Sequence, residues 1–262
     1  MDVLVINRSV DSKRMAFQEL QLNSLQLRCQ RFDAITPDCL SPPKNDPYWT
    51  RWNRRLTEVE KAIFASHQLA WGVIANSSKP QLVVEDDACL SAEVPRFLKK
   101  ASELANVDRI TLEYRGRKKL VATELHSRLS IRRLYQDRTG AAAYILWPNG
   151  ARKLLLRSAQ RPGLADAILC EAHELVTYQA DPALAIQLDA YQHHIGPPPI
   201  ETRSTRRSPV PTPIDQNSLF QKALYRFRRI SSELNMGLRF LKYRKVAVRK
   251  HVNLSQNWPA LG

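Results

Sequence analysis

The sequence has few of the features that mark a secreted or membrane-spanning protein. Its 262 residues include four cysteines, none in a CxxC pair and none accompanied by histidines at metal-ligand spacing. They are expected to be reduced thiols in a reducing compartment. No apolar run approaches the roughly 20 residues of a membrane span. Residues 1–6 lack the basic and longer apolar segments of a signal peptide. The sequence therefore predicts a cytoplasmic protein, soluble or peripheral on a membrane.

Acidic residues are scarce relative to basic ones. Asp and Glu number 25 against 40 Lys and Arg, which gives a net charge of +15 and a pI near 10. This excess predicts an anionic partner, such as a nucleotide, an acidic membrane surface or a nucleic acid. Most of the excess lies at one end, because residues 197–262 alone carry a net charge of +10.

Three of the acidic residues form one consecutive triplet, Glu85-Asp86-Asp87. It follows a short apolar run at 82–84 that is typical of a buried strand. Unpaired charge is too costly to bury within such a strand, so the triplet is expected at its carboxyl end, where open α/β sheets bind ligands. Carboxylates two residues apart, Glu85 and Asp87, suit Mg²⁺ or Mn²⁺, which in turn suits a diphosphate. An exposed acidic turn is the alternative.

The rest of the first 196 residues predicts an α/β domain, because strand-like and helix-like segments alternate. Strands are predicted at 3–6, 82–84, 110–114, 129–135, 141–147, 175–180 and 183–188. Helices are predicted at 15–27, 91–105, 151–158 and 167–174, together with one that begins after a capping box formed by Thr57 and Glu60. This last helix places His67 on an apolar stripe with Ile63 and Trp71. His67 is therefore either a hydrogen-bonded core histidine or a support for the acidic strand.

Beyond residue 196 the composition changes. Residues 197–214 are rich in Pro, Ser, Thr and Arg and predict an extended linker. Residues 215–262 predict a basic amphipathic helical tail, with Gly237 as a candidate break point. We expect this tail to hold the protein on an anionic membrane, and a chain truncated after Ile200 to remain folded. Packing of the apolar stripe on the protein's own domain or on a second subunit is the alternative.

Several motifs together resemble glycosyltransferase family 25, which includes bacterial lipopolysaccharide and lipooligosaccharide galactosyl- and glucosyltransferases. The resemblance covers about residues 3–190. It rests on Leu56-Thr57-Glu58, Ser66-His67, Trp71, Val84-Glu85-Asp86-Asp87, Gly140-Ala141-Ala142-Ala143-Tyr144-Ile145, Gly150-Ala151 and Leu164-Ala165-Asp166.

The resemblance implies a GT-A-like fold, with a single Rossmann-like nucleotide-sugar-binding domain and a basic helical C-terminal extension. It implies metal-dependent transfer of a hexose from a nucleotide sugar, commonly UDP-linked, with inversion at the anomeric carbon. The acceptor would be a cell-surface glycan or a lipid-linked glycan, such as lipopolysaccharide. On this basis Glu85 and Asp87 are the expected ligands of Mn²⁺ or Mg²⁺.

The remaining candidate site residues are assigned on the same resemblance. Asp166 is the expected general base and Glu113 the second candidate, although Asp166 could simply cap a helix. The expected donor-binding residues are Asn7, Arg8, Arg14, His67 and Asp86, although the basic residues after the first strand could form a solvated helix start.

Two other functions remain open from the sequence. The first is a non-catalytic scaffold descended from such an enzyme. The second is a basic nucleic-acid-binding protein, suggested by aromatic residues among the Lys and Arg of the tail. Nucleic-acid binding is not expected, because it leaves the acidic triplet unexplained and no zinc-finger, RRM or helix-turn-helix motif is present.

Overall fold

The structure, a computed structural model, describes residues 1–200 and 219–259. Most of the predicted linker at 197–214 therefore lies outside the described residues. The strands are β1 (Val3–Asn7), β2 (Cys29–Asp33), β3 (Gln81–Glu85), β4 (Ala88–Leu90), β5 (Arg109–Thr111), β6 (Glu113–Tyr114), β7 (Lys119–Ala122), β8 (Ile131–Gln136), β9 (Ala143–Leu146), β10 (Thr177–Ala180), β11 (Ala185–Gln187) and β12 (Ala247–Lys250). The helices are α1 (Ser12–Ser24), α2 (Glu58–Ala75), α3 (Val94–Ala101), α4 (Pro148–Gln160), α5 (Ala165–Glu171), α6 (Leu188–His194) and α7 (Leu219–Tyr243), with 3₁₀ turns at Pro37–Cys39 and Pro47–Arg51.

The strands form two sheets. The large sheet has the order β12-β7-β8-β10-β5-β9-β3-β1-β2, and the small one has the order β4-β11-β6. In the large sheet β1 lies parallel to both β2 and β3, and β10 lies parallel to β5. The other pairs are antiparallel. The predicted α/β class is confirmed, and the large sheet is mixed.

Helices cover both faces of the central strands, so those strands are apolar on both sides. In β1, Val3 and Val5 point into a core cluster that includes residues of α1 and α3. Leu4 and Ile6 point into a second cluster on the other face, against α2, α4 and α5. The same alternation runs along β3 and fixes the directions of the acidic side chains that follow it.

The helix α2 begins as predicted. The Thr57 side chain accepts from the backbone N–H of Glu60, and the Glu60 side chain accepts from the N–H of Thr57. The predicted stripe is only partly correct, because Ile63 is exposed and Phe64 fills the core instead. His67 is buried, as predicted.

The predicted strand at 110–114 is two strands in two sheets. At Leu112 the backbone N–H still bonds to Ala143 of the large sheet, while the carbonyl already accepts from Leu184 and Ala185. The chain changes sheets there because each peptide group bonds on a different side. This crossing makes Glu113 the first residue of β6 in the small sheet.

The prediction of a wholly helical tail at 215–262 is wrong beyond Tyr243. The helix α7 continues through Gly237 without a break. The chain then turns, and β12 pairs antiparallel with β7 at the edge of the large sheet. This edge would otherwise be left with unpaired N–H and C=O groups. Val252 is buried, and Ser255 bonds to the backbone of Ala183, so this segment packs on the preceding residues.

Candidate active site

The acidic triplet lies where β3 leaves the large sheet, as predicted. Successive side chains at this strand end point to opposite faces. Glu85 and Asp87 both face the side chain of Gln187 on β11, while Asp86 faces α1. Two of the three carboxylates therefore converge on one point, and the third has a separate set of partners.

Glu85 and Asp87 share one hydrogen-bond donor. The amide Nε2 of Gln187 donates to Glu85 Oε2 at 2.9 Å and to Asp87 Oδ1 at 3.2 Å. Arg115 holds this amide in place by donating to Gln187 Oε1 at 2.5 Å. Burial, and then the charge of Glu85, raises the pKa of Asp87 to about 7. The site therefore disfavours ionisation of Asp87 beside Glu85.

Asp86 has both oxygens occupied. Its Oδ2 accepts from Asn7 Nδ2 at 2.8 Å, and its Oδ1 accepts from Arg14 at 2.9 Å. Burial alone would lower the pKa of Arg14, but the charges of Asp86, Asp87 and Asp11 together raise it. The second expected basic residue, Arg8, instead pairs with Asp11 at the surface. The carboxylate of Asp86 thus holds Asn7 at the end of β1 and Arg14 in the first turn of α1.

Asn7 presents one polar atom without a partner. Its Nδ2 donates to Asp86 and, at 3.2 Å, to the Asp11 carbonyl, so both hydrogens are in use. Its Oδ1 is buried and accepts no hydrogen bond from the residues that the structure describes. A buried acceptor of this kind normally has a donor. Asn7 can therefore serve a ligand only as a hydrogen-bond acceptor.

His67 supports Glu85 through a chain of buried hydrogen bonds. Burial lowers the pKa of His67 to about 4, so the ring is neutral near pH 7. His67 Nε2 lies 3.2 Å from Glu85 Oε1, and Nδ1 lies 2.9 Å from the Tyr144 hydroxyl. Because a carboxylate accepts, Nε2 carries the proton and Nδ1 accepts from Tyr144. Trp71 Nε1 donates to the same hydroxyl at 2.9 Å and completes the chain.

We expect His67→Ala to lower both stability and turnover. The substitution leaves Tyr144 without its acceptor and removes one of the donors to Glu85, which should reduce the free energy of unfolding by about 1–3 kcal/mol. Thermal or denaturant unfolding beside a turnover assay would measure both effects. His193→Ala, at an exposed position, is the control and should change neither. A large loss of turnover at unchanged stability would point instead to a direct chemical role.

Glu113 lies against the same site but is enclosed. Its side chain is 1% exposed, and Oε2 accepts from the backbone N–H of Ala142 at 2.9 Å. Gly140, at φ +130°, packs closely against the Glu113 carboxyl group, since a Cβ at Gly140 would lie 3.1 Å from Oε2. Burial, and then the charge of Glu85, raises the pKa of Glu113 to about 8. Glu113 is therefore protonated near pH 7, which makes it a poor base.

Asp166 lies in the first turn of α5, one residue after the helix begins. The predicted helix at 167–174 was therefore placed too late, and Asp166 is not its N-cap. Its Oδ1 accepts from the backbone N–H of Ala167 at 2.7 Å. Burial dominates the pKa of His67, and the charge of Asp166 acts on it in the opposite direction. Asp166 thus lies at a helix N-terminus and also interacts electrostatically with His67.

The sequence profile of glycosyltransferase family 25 (LPS biosynthesis protein) matches residues 1–169, which include the acidic triplet, His67 and Asp166. The chain belongs to this family. Its class of function is therefore that of a glycosyltransferase of lipopolysaccharide biosynthesis. No curated protein sequence matches the chain.

Two solved structures show a distant likeness to this family 25 chain. Protein A197 from STIV is 11% identical, with a TM-score of 0.37, over 68% of this chain and 81% of that one. The inositol-1-phosphate CTP transferase from T. maritima is 13% identical, with a TM-score of 0.35, over 72% of this chain and 69% of that one.

Three residues of this family 25 site were not predicted: Gln187, Arg115 and Tyr144. Gln187 ends an apolar strand and meets Asp87 across 100 positions of sequence, so no local pattern indicates the contact. Tyr144 does have a signal, because a buried tyrosine needs a partner for its hydroxyl. Its position in an otherwise apolar strand, together with Trp71 and His67 on one helix face, is the pattern to look for.

Proposed function

We propose that the protein is a GT-A-like transferase of a hexose from a nucleotide sugar, UDP-linked, to a cell-surface or lipid-linked glycan such as lipopolysaccharide. The observation that carries the proposal is the convergence of Glu85 and Asp87 at the carboxyl end of β3, with the pKa of Asp87 raised to about 7. Such a site places two carboxylates together at the sheet edge where nucleotide ligands bind.

The residues fit a divalent cation. Hard carboxylate oxygens suit Mn²⁺ or Mg²⁺, and a cation would stabilise the ionised form of Asp87, which burial and then the charge of Glu85 disfavour. Over the residues that the structure describes, no group of three or more His, Cys, Asp and Glu side chains is arranged as a metal site. Further ligands would therefore come from water and donor phosphates, as is usual for Mg²⁺. When bound, the cation neutralises charge on the leaving diphosphate.

The donor would lie along the end of β1. Asn7 offers its unpartnered Oδ1, which suits a ribose hydroxyl or a base N–H. Arg14 supplies positive charge beside the acidic triplet, and Arg8, which pairs with Asp11 at the surface, is a further candidate for contact with the donor. Asp86 acts through Asn7 and Arg14, because both of its oxygens are already bonded to them. His67 acts through Glu85 and holds that carboxylate in place.

We expect Asp166→Asn to reduce turnover by about 10²–10⁴-fold, the usual contribution of a general base. An inverting displacement needs a group that takes the proton of the attacking acceptor hydroxyl, and Asp166 is the candidate that is not enclosed. Donor affinity should stay similar, because the loss falls on the transition state. Turnover and donor binding, measured separately, check this.

Glu113→Gln is the matched comparison for Asp166→Asn. A glutamine keeps the shape of the protonated Glu113, so turnover should stay within a few-fold of wild type. A much larger loss of turnover in Glu113→Gln than in Asp166→Asn would identify Glu113 as the general base instead. The anomeric configuration of the product, read by NMR, tests inversion, and a retained configuration would remove the need for a base at Asp166.

Nucleotide-sugar turnover with and without Mn²⁺ tests the proposed function. UDP-sugars should raise the melting temperature in the presence of Mn²⁺ and release UDP. Donor binding without any release would indicate a non-catalytic scaffold. Stabilisation by nucleic acid in place of nucleotide sugars would indicate the nucleic-acid-binding alternative.

A lipid-linked acceptor places the reaction at a membrane surface. Over the part of the chain that the structure describes, no helix is long and apolar enough to cross a membrane. Because the proposed acceptor is lipid-linked, we propose peripheral attachment at the inner face of the cytoplasmic membrane, which would confine enzyme and acceptor to one surface.

A further inference from the structure

The long helix α7 turns its apolar stripe toward solvent. Phe220 is 76% exposed, Phe227 69%, and Leu234 and Leu238 are exposed to a similar degree. Ile230 and Leu241 on the same side are also exposed. Spacings of three, four and seven residues place these side chains on one face of the helix. The stripe runs for about 32 Å at 1.5 Å per residue.

The opposite face of α7 attaches to the domain through polar contacts. Arg228 donates to the carbonyls of Thr50 and Trp52, and Ser232 donates to Glu171. Farther along, Gln136 donates to the carbonyl of Met236, and Arg239 donates to the carbonyl of Tyr135. The rings of Tyr243 and Tyr135 stack with their centroids 4.1 Å apart.

A surface helix usually packs its apolar face inward, and α7 does the reverse. The alternative that the stripe packs on its own domain is therefore wrong. The attachment is also firm, because β12 follows α7 directly and joins the large sheet. The apolar face is thus held in a fixed direction relative to the rest of the enzyme.

The borders of the stripe are basic. Lys222, Arg226 and Arg229 are exposed along one side, and Lys242 lies on the other near the end of the helix. Arg244 and Lys245 extend the positive charge past it. Glu233 is the acidic residue of the described helix, and it pairs with Arg138 at 3.4 Å. An apolar stripe bordered by cations complements an anionic lipid surface, which offers an acyl boundary and negative headgroups.

We propose that this face of α7 lies in an anionic lipid surface and fixes the orientation of the enzyme on it. Membrane docking does not require the proposed transferase activity. That activity would only explain why docking is useful. A second copy of the chain fits less well, because a symmetric pairing along the stripe would bring the basic borders of two helices together.

Flotation of the full-length protein with vesicles tests the proposal. Phosphatidylcholine vesicles that contain phosphatidylglycerol should retain the protein at low salt, and added salt should weaken the binding. Vesicles of phosphatidylcholine alone should retain much less. A protein that floats with neither kind of vesicle would overturn the proposal. A wild-type dimer that dissociates on substitution of the stripe, without vesicle binding, would show that a second copy covers this face.

Leu234→Ser with Leu238→Ser should weaken vesicle binding by about tenfold or more, because two inserted side chains lose their apolar burial. The melting temperature should not fall, since both side chains are exposed. Leu125→Ser with Leu156→Ser is the matched control, at 50% and 71% exposure on other segments of the chain. Equal binding by the stripe variant and this control would overturn the proposal.

Arg226→Gln with Arg229→Gln tests the charge in the same way. This variant should lose binding at low salt, and the exposed pair Lys99→Gln with Lys100→Gln should not. Equal losses from both pairs would mean that net charge alone drives binding, and would overturn the assignment to α7. UDP release with a soluble acceptor analogue, measured on every variant, separates the two proposals: vesicle binding without any turnover would refute the transferase activity and leave the docking surface standing.

Discussion

Asp87→Asn should reduce turnover by about a thousandfold, because the neutral amide cannot replace a charged ligand that supports several kcal/mol of transition-state stabilisation. The fold should survive, since the amide keeps the shape of the side chain and Gln187 remains beside it. Turnover with Mn²⁺ and a thermal melt on the same sample measure both outcomes. Asp2→Asn, exposed at the opposite end of β1, is the control and should leave turnover unchanged. Turnover of Asp87→Asn within a few-fold of wild type would show that Asp87 is not a metal ligand.

The same variant has a pH signature in the absence of metal. The folded state raises the pKa of Asp87 from 3.8 to about 7, so the protonated carboxyl is the form that the fold favours. Its contribution to stability is complete below pH 4 and is lost as the pH rises toward 7. The melting temperature of Asp87→Asn relative to wild type should therefore increase across this window. Mn²⁺ should stabilise wild type more at pH 8 than at pH 5, and should do so much less in the variant.

Truncation after Ile200 should prevent stable folding, contrary to the expectation from sequence. It removes β12, which pairs with β7 at four positions, and leaves Asp181 without Lys250 and the backbone N–H of Asn253. It also exposes the surface that Val252 covers. A reduction of about 5 kcal/mol or more in the free energy of unfolding would equal the whole stability of many domains. Soluble yield and cooperative unfolding measure the result.

Two further truncations locate the effect. A chain that ends at Pro259 keeps every contact described above and should fold as wild type does. A chain that ends at Tyr243 keeps α7 but loses β12, and should fail as the shorter one does. Cooperative unfolding of the Ile200 truncation at a near-normal temperature would show that the domain is complete without β12.

The parts of the site that could be predicted depend on local sequence. The apolar run at 82–84 places the triplet at a strand end, and the alternation of side chains puts Glu85 and Asp87 on one side. The capping box of Thr57 and Glu60 fixes the start of α2 and, with it, the inward direction of His67. These inferences needed no knowledge of distant residues, and the structure agrees with them.

The parts that could not be predicted depend on distant pairing. Residues 247–250 are short and half basic, and their strand conformation is set by the open edge of β7 rather than by their own pattern. The outward direction of the α7 stripe follows from polar contacts with Thr50, Trp52 and Tyr135, which no helical periodicity reveals. Periodicity indicates which residues share a face, but not which face meets the domain.

The edge pairing of β7 with β12 also has a consequence for synthesis on the ribosome. β7 ends at Ala122 and its partner begins at Ala247. At 5–20 residues per second, the intervening chain takes roughly 6 to 25 s to make. During that interval the nascent protein presents a strand edge that can pair with other chains. Slow translation or a shortage of chaperones should therefore favour aggregation before β12 has been made and has paired with β7.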